Sequence, residues 1–382
     1  MSLNLSRRAF LGGAAAGALV LRAEVARALS AIVPIFLYPP AHKWPSGRRP
    51  GGSMALDLAQ ITTEIMLPPE GAGVALSFFW DHISRAPGEY DYSMIDQALE
   101  YWGRRGKKVI VSVATFGFEY RANGETDPLR TPTPDWVMQR VSTYRHQTRV
   151  LGAIGEPDVD AIYPDFRDER FVALGAELAH RLGARYDGNP TIAQWRIATG
   201  MGGEDNSAVG NLNHPMANYN EAEWVTYTER AVQPFYDAFR RTELEFDIGR
   251  LSAIARLGNG AMKQRVQRQI DDLRAHNVLF AFDGLQTASL DGMRNPKSPV
   301  NLVFEELRNY QAAGGQIGLE AVSPFFNSRM RDADAMLEVV SAMKPKRLVF
   351  FHDMGVDVMD PRAANAPGSD VARDMWSRLT RH

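Results

Sequence analysis

The sequence contains no cysteine. That excludes disulfide staples, thiolate metal sites, iron–sulfur clusters and thiol catalysis. Histidine is scarce, with eight residues in 382, and no His-x-His or His-Glu-x-x-His pattern occurs. The helical zinc motifs are therefore missing. No Gly-rich phosphate loop follows any apolar run, and no nucleotide or flavin fingerprint is present, so no cofactor is expected. A charge excess of one sign is lacking too: 43 Lys+Arg stand against 45 Asp+Glu, for a formal net charge of −2. Nothing in that balance points to nucleic acid or to an anionic membrane surface. Beyond the N-terminus, no segment stays apolar over the roughly 20 residues that a membrane helix needs.

What is present starts with the N-terminus. Ser6-Arg7-Arg8-Ala9-Phe10-Leu11 is a paired arginine followed by large apolar residues, and Gly12 to Leu21 is a short Ala- and Gly-rich run. Ala26-Arg27-Ala28 then supplies a small-x-small cleavage pattern. A charged region, a short apolar region and a small-residue site make a secretory leader, and the paired arginine assigns it to the twin-arginine export machinery. Residues 1–28 are thus expected to be a signal peptide and 29–382 one catalytic-type domain. The mature protein is expected in the periplasm or outside the cell.

The rest of the chain alternates short apolar runs with longer amphipathic ones. The runs are Ala31–Tyr38, Gly73–Trp80, Lys107–Thr115, Ile192–Thr199, the weaker Leu251–Leu257, Val278–Asp283, Gln316–Val322 and Arg347–His352. Near-continuous apolar runs suggest strands buried on both faces, as in parallel sheets. Helical spacing appears over Ser93–Arg104, Glu169–Arg185, Glu221–Arg241, Ala261–His276, Val300–Ala313, Asp332–Met343 and Ser369–Leu379, and less clearly around Met54–Met66. Asp332 and Ser369 suit N-caps, and Gly106, Gly183 and Gly314 suit helix ends. Eight strands alternating with helices predict an α/β fold of the closed (β/α)₈ type, the TIM barrel, which runs from about 200 to over 400 residues. The alternative is a doubly wound open sheet. Two connections are unusually long, Phe116–Arg167 after the third strand and Gly202–Asn220 after the fourth. Both should overhang the face where barrel chemistry sits.

Residues at strand ends carry that chemistry. Glu204 follows the fourth strand directly after two glycines, in Gly202-Gly203-Glu204-Asp205. Glu320 is embedded in the apolar seventh run. A buried charge there is expensive unless it points into the barrel mouth or meets a cation. Two carboxylates facing each other at about 5 Å would suit a retaining glycosidase, one as proton donor and one as nucleophile. Trp80, Phe116, Phe118, Tyr120, Trp136, Phe325 and Phe326 fall at or beyond strand ends and could stack on sugar faces. Asp81, His82, Glu119, Asp283, Gln286, His352 and Asp353 are polar groups of the same rim, suited to binding hydroxyls.

One stretch carries a family resemblance. Trp80-Asp81-His82-Ile83-Ser84-Arg85-Ala86-Pro87-Gly88-Glu89-Tyr90-Asp91-Tyr92, followed by Ile95-Asp96 and Gly106-Lys107-Lys108-Val109, resembles the second-strand region of clan A glycoside hydrolases. Arg185-Tyr186-Asp187-Gly188-Asn189-Pro190 through Trp195 resembles the lead into their fourth strand. The likeness spans Gly73–Val113 and Leu182–Asp205; elsewhere it rests on element order. It implies a (β/α)₈ barrel acting on a carbohydrate, with Glu204 as acid/base and Glu320 as nucleophile. Two positions depart from the pattern. Gly203 stands where the family usually has an Asn that resembles a binder of the sugar 2-hydroxyl. His352-Asp353 stands where a Trp often floors the sugar site. Two other readings remain: a carbohydrate-binding barrel without turnover, and a metal-dependent sugar-processing barrel with Glu204, Asp283, Glu320 and His352 as ligands.

Overall fold

The computed structural model describes residues 35–38, 72–115, 120–121, 129–130, 132–148, 159–200, 221–248, 259–298, 301–321, 331–351, 371, 374–375 and 378–379. The elements in chain order begin with β1 (Ile35–Tyr38), β2 (Gly73–Phe79), α1 (Trp80–Ile83), α2 (Ser93–Gly103) and β3 (Lys108–Ala114). Then come β4 (Tyr120–Arg121), β5 (Leu129–Arg130), α3 (Asp135–Met138), β6 (Thr143–Thr148) and β7 (Val159–Pro164). The chain continues through α4 (Glu169–Tyr186), β8 (Ile192–Arg196), α5 (Glu221–Ala238), β9 (Leu244–Asp247) and α6 (Gly260–Ala275). It ends with β10 (Leu279–Leu285), α7 (Ser289–Arg294), α8 (Asn301–Ala312), β11 (Ile317–Ala321), α9 (Ala333–Met343) and β12 (Arg347–Phe351).

Eight of these strands close into one barrel in the order β1-β12-β11-β10-β9-β8-β3-β2, all pairs parallel. The expected (β/α)₈ architecture is therefore the observed one. Every residue of β2 is buried, as a strand covered on both faces must be. Outward residues such as Trp195, Phe246, Phe280 and Phe350 pack under the helices in one continuous apolar layer. Trp195 stacks between Tyr186 of α4 and Phe239. Among the described residues, no helix is long and apolar enough to cross a membrane.

Three sequence expectations change. The fifth strand is β9, Leu244–Asp247, upstream of the expected Leu251–Leu257, which lies outside the described residues. Only Leu244 and Phe246 of β9 face the apolar layer; its alternate residues, Glu245 and Asp247, face the barrel interior and break the apolar run. Gly183 does not end a helix. It sits inside α4, where a Cβ would come 2.4 Å from the Ala238 carbonyl, so its missing side chain lets the α5 end approach. The chain turns instead at Gly188, with φ +81°. Third, the connection after β3 is no plain loop. It contains the β4–β5 pair, α3 and the antiparallel β6–β7 pair. By contrast, Asp332 caps α9 by accepting from the Ala335 amide, and Gly106 and Gly314 hold φ of +68° and +90° as expected. The segment around Met54–Met66, the Gly202–Asn220 connection, Ser369 and the N-terminal 28 residues lie outside the described residues.

Candidate active site

The interior of the barrel is divided by chemistry. On the β2–β3 side it is small and weakly polar: Ala75, Ile110 and Val349 of β12 form one apolar cluster, and the Ser77 and Ser112 hydroxyls share a 2.6 Å hydrogen bond. On the β8–β12 side it is ionic. At the lower edge, Gln194 donates to Glu243 at 2.7 Å, and Lys346 reaches the same carboxylate.

One layer up, Glu245 of β9 is held between two guanidiniums. Arg196 of β8 donates through Nε at 2.6 Å and Arg347 of β12 through Nε at 2.7 Å. Burial alone would push the Glu245 carboxyl up, but Arg347 and Arg196 together outweigh it and hold it below the ordinary glutamate value. Arg347 also donates to the Leu319 carbonyl at 3.1 Å. Gly318 of β11 makes room for this guanidinium: a Cβ there would lie 3.0 Å from Arg347 Cζ and 2.8 Å from Leu279 Cδ2.

Above that layer sits Glu320. Its Oε2 accepts from Arg196 Nη2 at 2.9 Å, and the residue is 4% exposed. Both solutions foreseen for a carboxylate in an apolar strand are thus used at once: it points into the barrel and it pairs with a cation. An unpaired buried ion would cost several kcal/mol, and the shared guanidinium offsets that for two strands simultaneously.

Asp247 shares this layer but not its bonding. It is 1% exposed, its Oδ2 stands 3.8 Å from Arg196 Nη1, and neither of its carboxyl oxygens makes a hydrogen bond. Burial first, and then the charge of Asp283, push its carboxyl well above the ordinary aspartate value; Arg196 opposes them only in part. Leaving such a buried group unsatisfied costs about 1–3 kcal/mol. Asp283 belongs to β10, where Ala281 pairs with Asp247, so Asp283 is the next inward residue toward the C-terminal end. The β10–β11 register shifts between Phe282 and Leu285, around Asp283 and Gly284. Bulges of this kind re-aim side chains beside active sites.

The other rim residues scatter. Trp80 is fully buried: the chain after β3 folds over it, with Trp136 of α3 edge-on at 6.3 Å and Phe171 of α4 at 6.4 Å. The Trp136 indole donates to the Ser84 carbonyl at 3.3 Å, and the Asp81 amide donates to the Pro132 carbonyl at 2.9 Å. Trp80 is therefore a core residue rather than an open sugar platform, because that connection covers the ends of β2 and β3. His82 is buried as well, its ring 5.0 Å from Phe79 and its Nε2 3.7 Å from the Asp81 carboxylate. Gln286 is half-buried at the turn into α7, where its backbone N–H donates to the Ser289 hydroxyl at 3.0 Å. Tyr120 opens β4. Glu204, Phe116, Phe118, Glu119, Phe325, Phe326, His352 and Asp353 lie outside the described residues.

Of the residues anticipated from sequence, the barrel gathers Glu320 and Asp283. It adds Arg196, Glu245, Asp247 and Arg347, which the sequence reading missed. A signal existed for β9: in Leu244-Glu245-Phe246-Asp247 apolar and acidic residues alternate strictly, the period of a strand with two unlike faces.

Neither a protein-family model nor a curated protein sequence matches this chain. Solved structures do resemble it. The catalytic domain of β-amylase from Paenibacillus polymyxa superposes with TM-score 0.55 at 11% identity, covering 91% of this chain and 99% of that one. Xylanase 10B from Thermotoga petrophila RKU-1, solved with xylobiose, gives 0.49 at 12% identity over 93% and 96%. At such identity the β-amylase likeness establishes the shared barrel fold and nothing further.

Proposed function

We propose that this protein is a glycoside hydrolase that cleaves a poly- or oligosaccharide by a retaining mechanism. The observation that carries the reading is Glu320: an inward carboxylate near the C-terminal end of the seventh barrel strand, oriented by Arg196. That face is where barrel enzymes place their chemistry. With Oε2 held by the guanidinium, Oε1 is the oxygen for the anomeric carbon. Glu204 is the proposed general acid/base. It follows the exit from β8, which is fixed where the Tyr227 hydroxyl donates to the Thr199 carbonyl at 2.8 Å. Glu204, preceded there by two glycines, is proposed to protonate the leaving oxygen. The β-amylase whose barrel this chain shares is itself a carbohydrate enzyme by name, in keeping with a carbohydrate substrate.

The metal-dependent reading is less well supported. It needs Glu320 as a ligand, whereas Arg196 engages that carboxylate. A screen of chromogenic glycosides and polysaccharides tests the proposal directly. Turnover of at least one, abolished by Glu320→Gln, is expected; no turnover across the screen would leave a binding barrel as the better reading. The paired arginine further leads us to place the enzyme outside the cytoplasm after twin-arginine export. Replacing Arg7-Arg8 with two lysines should then block export, and normal export of that variant would remove the assignment.

A further inference from the structure

The described interior cations of the upper barrel are matched: Arg347 and Arg196 share Glu245, and Arg196 also binds Glu320. Two guanidiniums thus face two hydrogen-bonded carboxylates. Asp247 meets Arg196 only at 3.8 Å and without a hydrogen bond. It is almost wholly enclosed, its side chain shares the inward face with Glu245, and neither carboxyl oxygen has a hydrogen-bond partner. Evolution does not usually keep a buried acid unsatisfied without a use for it. Among the described residues, the charges that bear on it are Glu245 on its own strand, Asp283 on β10, Glu320 on β11 and Arg196 on β8, the last 3.8 Å away and hydrogen-bonded to Glu245 and Glu320.

We propose that Asp247, with Asp283 beside it, forms a subsite for a cationic group of the substrate, an ammonium carried by an amino sugar. The inference rests on the carbohydrate reading of the same barrel mouth and names the substrate class within it. An ammonium has three donors and no acceptor, so it can bridge carboxylates from two neighbouring strands. A neutral hydroxyl brings no charge to match an ionised Asp247. A metal ion fits less well, since no group of three His, Asp or Glu among the described residues is arranged to hold one. In the free protein, burial and the Asp283 charge favour protonated Asp247, and an arriving ammonium displaces that proton.

The test uses the full chain and sugars that have no glycosidic bond to cleave. Affinities are measured by calorimetry for matched pairs, glucosamine against glucose and galactosamine against galactose. For one pair the amine should bind about tenfold tighter or more, as a new charge-assisted contact requires. Asp247→Asn should reduce that preference to about twofold or less. Asp283→Asn, at a half-buried position, should weaken it in the same direction. Circular dichroism checks that both variants fold. Equal affinity for amine and hydroxyl in both pairs overturns the proposal, and so does a preference that survives both substitutions. If no monosaccharide binds but neutral glycosides are cleaved in the screen, the amine subsite fails and the hydrolase reading stands. If nothing binds and nothing is cleaved, both fall.

Discussion

Nη2 of Arg196 lies 2.9 Å from Oε2 of Glu320, so side chains from the fourth and seventh barrel strands meet inside the barrel. The same guanidinium holds Glu245 through Nε at 2.6 Å. Arg196→Met would leave Glu245 with Arg347 but would strip Glu320 of its cation. Breaking a buried pair in this way costs about 3–5 kcal/mol. Chemical denaturation should show a loss of that order. Arg196→Lys should fall between, because an ammonium lacks the planar fork that serves two carboxylates at once. An unchanged denaturation midpoint in Arg196→Met would show that the network contributes nothing to stability.

The closed barrel was legible in the sequence because its outward faces are uniformly apolar. Runs such as Gly73–Phe79 and Lys108–Ala114 need no partner information to be read as buried strands. The same logic hid β9. A strand whose inward face is Glu245 and Asp247 is too polar to pass for a barrel strand until their partners, Arg196 and Arg347, are known. Those partners come from β8 and β12, far apart in sequence. Glu320 was legible because it stands alone among apolar neighbours. Trp80 misled for the opposite reason: its place at a strand end was right, but Trp136, on the long connection after β3, covers it.

His82 makes stability depend on pH. Burial, with Arg85 adding to it, pulls its imidazole from 6.5 down to about 3. Between those values the unfolded chain carries a proton on this residue that the folded chain does not. More protons bound in the unfolded state means that stability rises with pH and falls as the solution is acidified through that window. The slope approaches about 1.4 kcal/mol per pH unit. His82→Gln, which cannot titrate, should lose this component. The difference in melting temperature between wild type and variant should therefore shift in favour of the variant on going from about pH 7 to about pH 4. A difference that stays constant over that range would mean that His82 is not held neutral.

Gly318 is a packing requirement of the ion network. Its Cβ would fall 2.8 Å from Leu279 Cδ2 and 3.0 Å from Arg347 Cζ, closer than real Cβ contacts allow for the first and tight for the second. Gly318→Ala must push one of them aside. Overpacking of this kind typically costs about 1–3 kcal/mol. If Arg347 moves, the Glu245 contact weakens as well, so the loss should shrink in an Arg347→Lys background, where the wide guanidinium is gone. A thermal-shift double-mutant cycle measures this coupling. Purely additive effects would assign the strain to Leu279.

The proposed chemistry separates the two glutamates kinetically. Glu320→Gln keeps the shape of the side chain and a carbonyl oxygen for Arg196, but it removes the charge that attacks the anomeric carbon. The loss falls on the transition state, so kcat should drop by several orders of magnitude while sugar binding survives. Glu204→Gln removes the proton donor. Substrates with poor leaving groups should then react very slowly, whereas an activated nitrophenyl glycoside needs little protonation and should still form the glycosyl-enzyme in the first step. Because the second step then lacks its general base, that intermediate should accumulate and appear by mass spectrometry as one added glycosyl unit on Glu320. Adding azide, which attacks without base assistance, should restore turnover in Glu204→Gln and not in Glu320→Gln. Rescue of both variants, or of neither, would break the assignment of roles, and an inverted anomeric product from the wild type would rule out the retaining mechanism altogether.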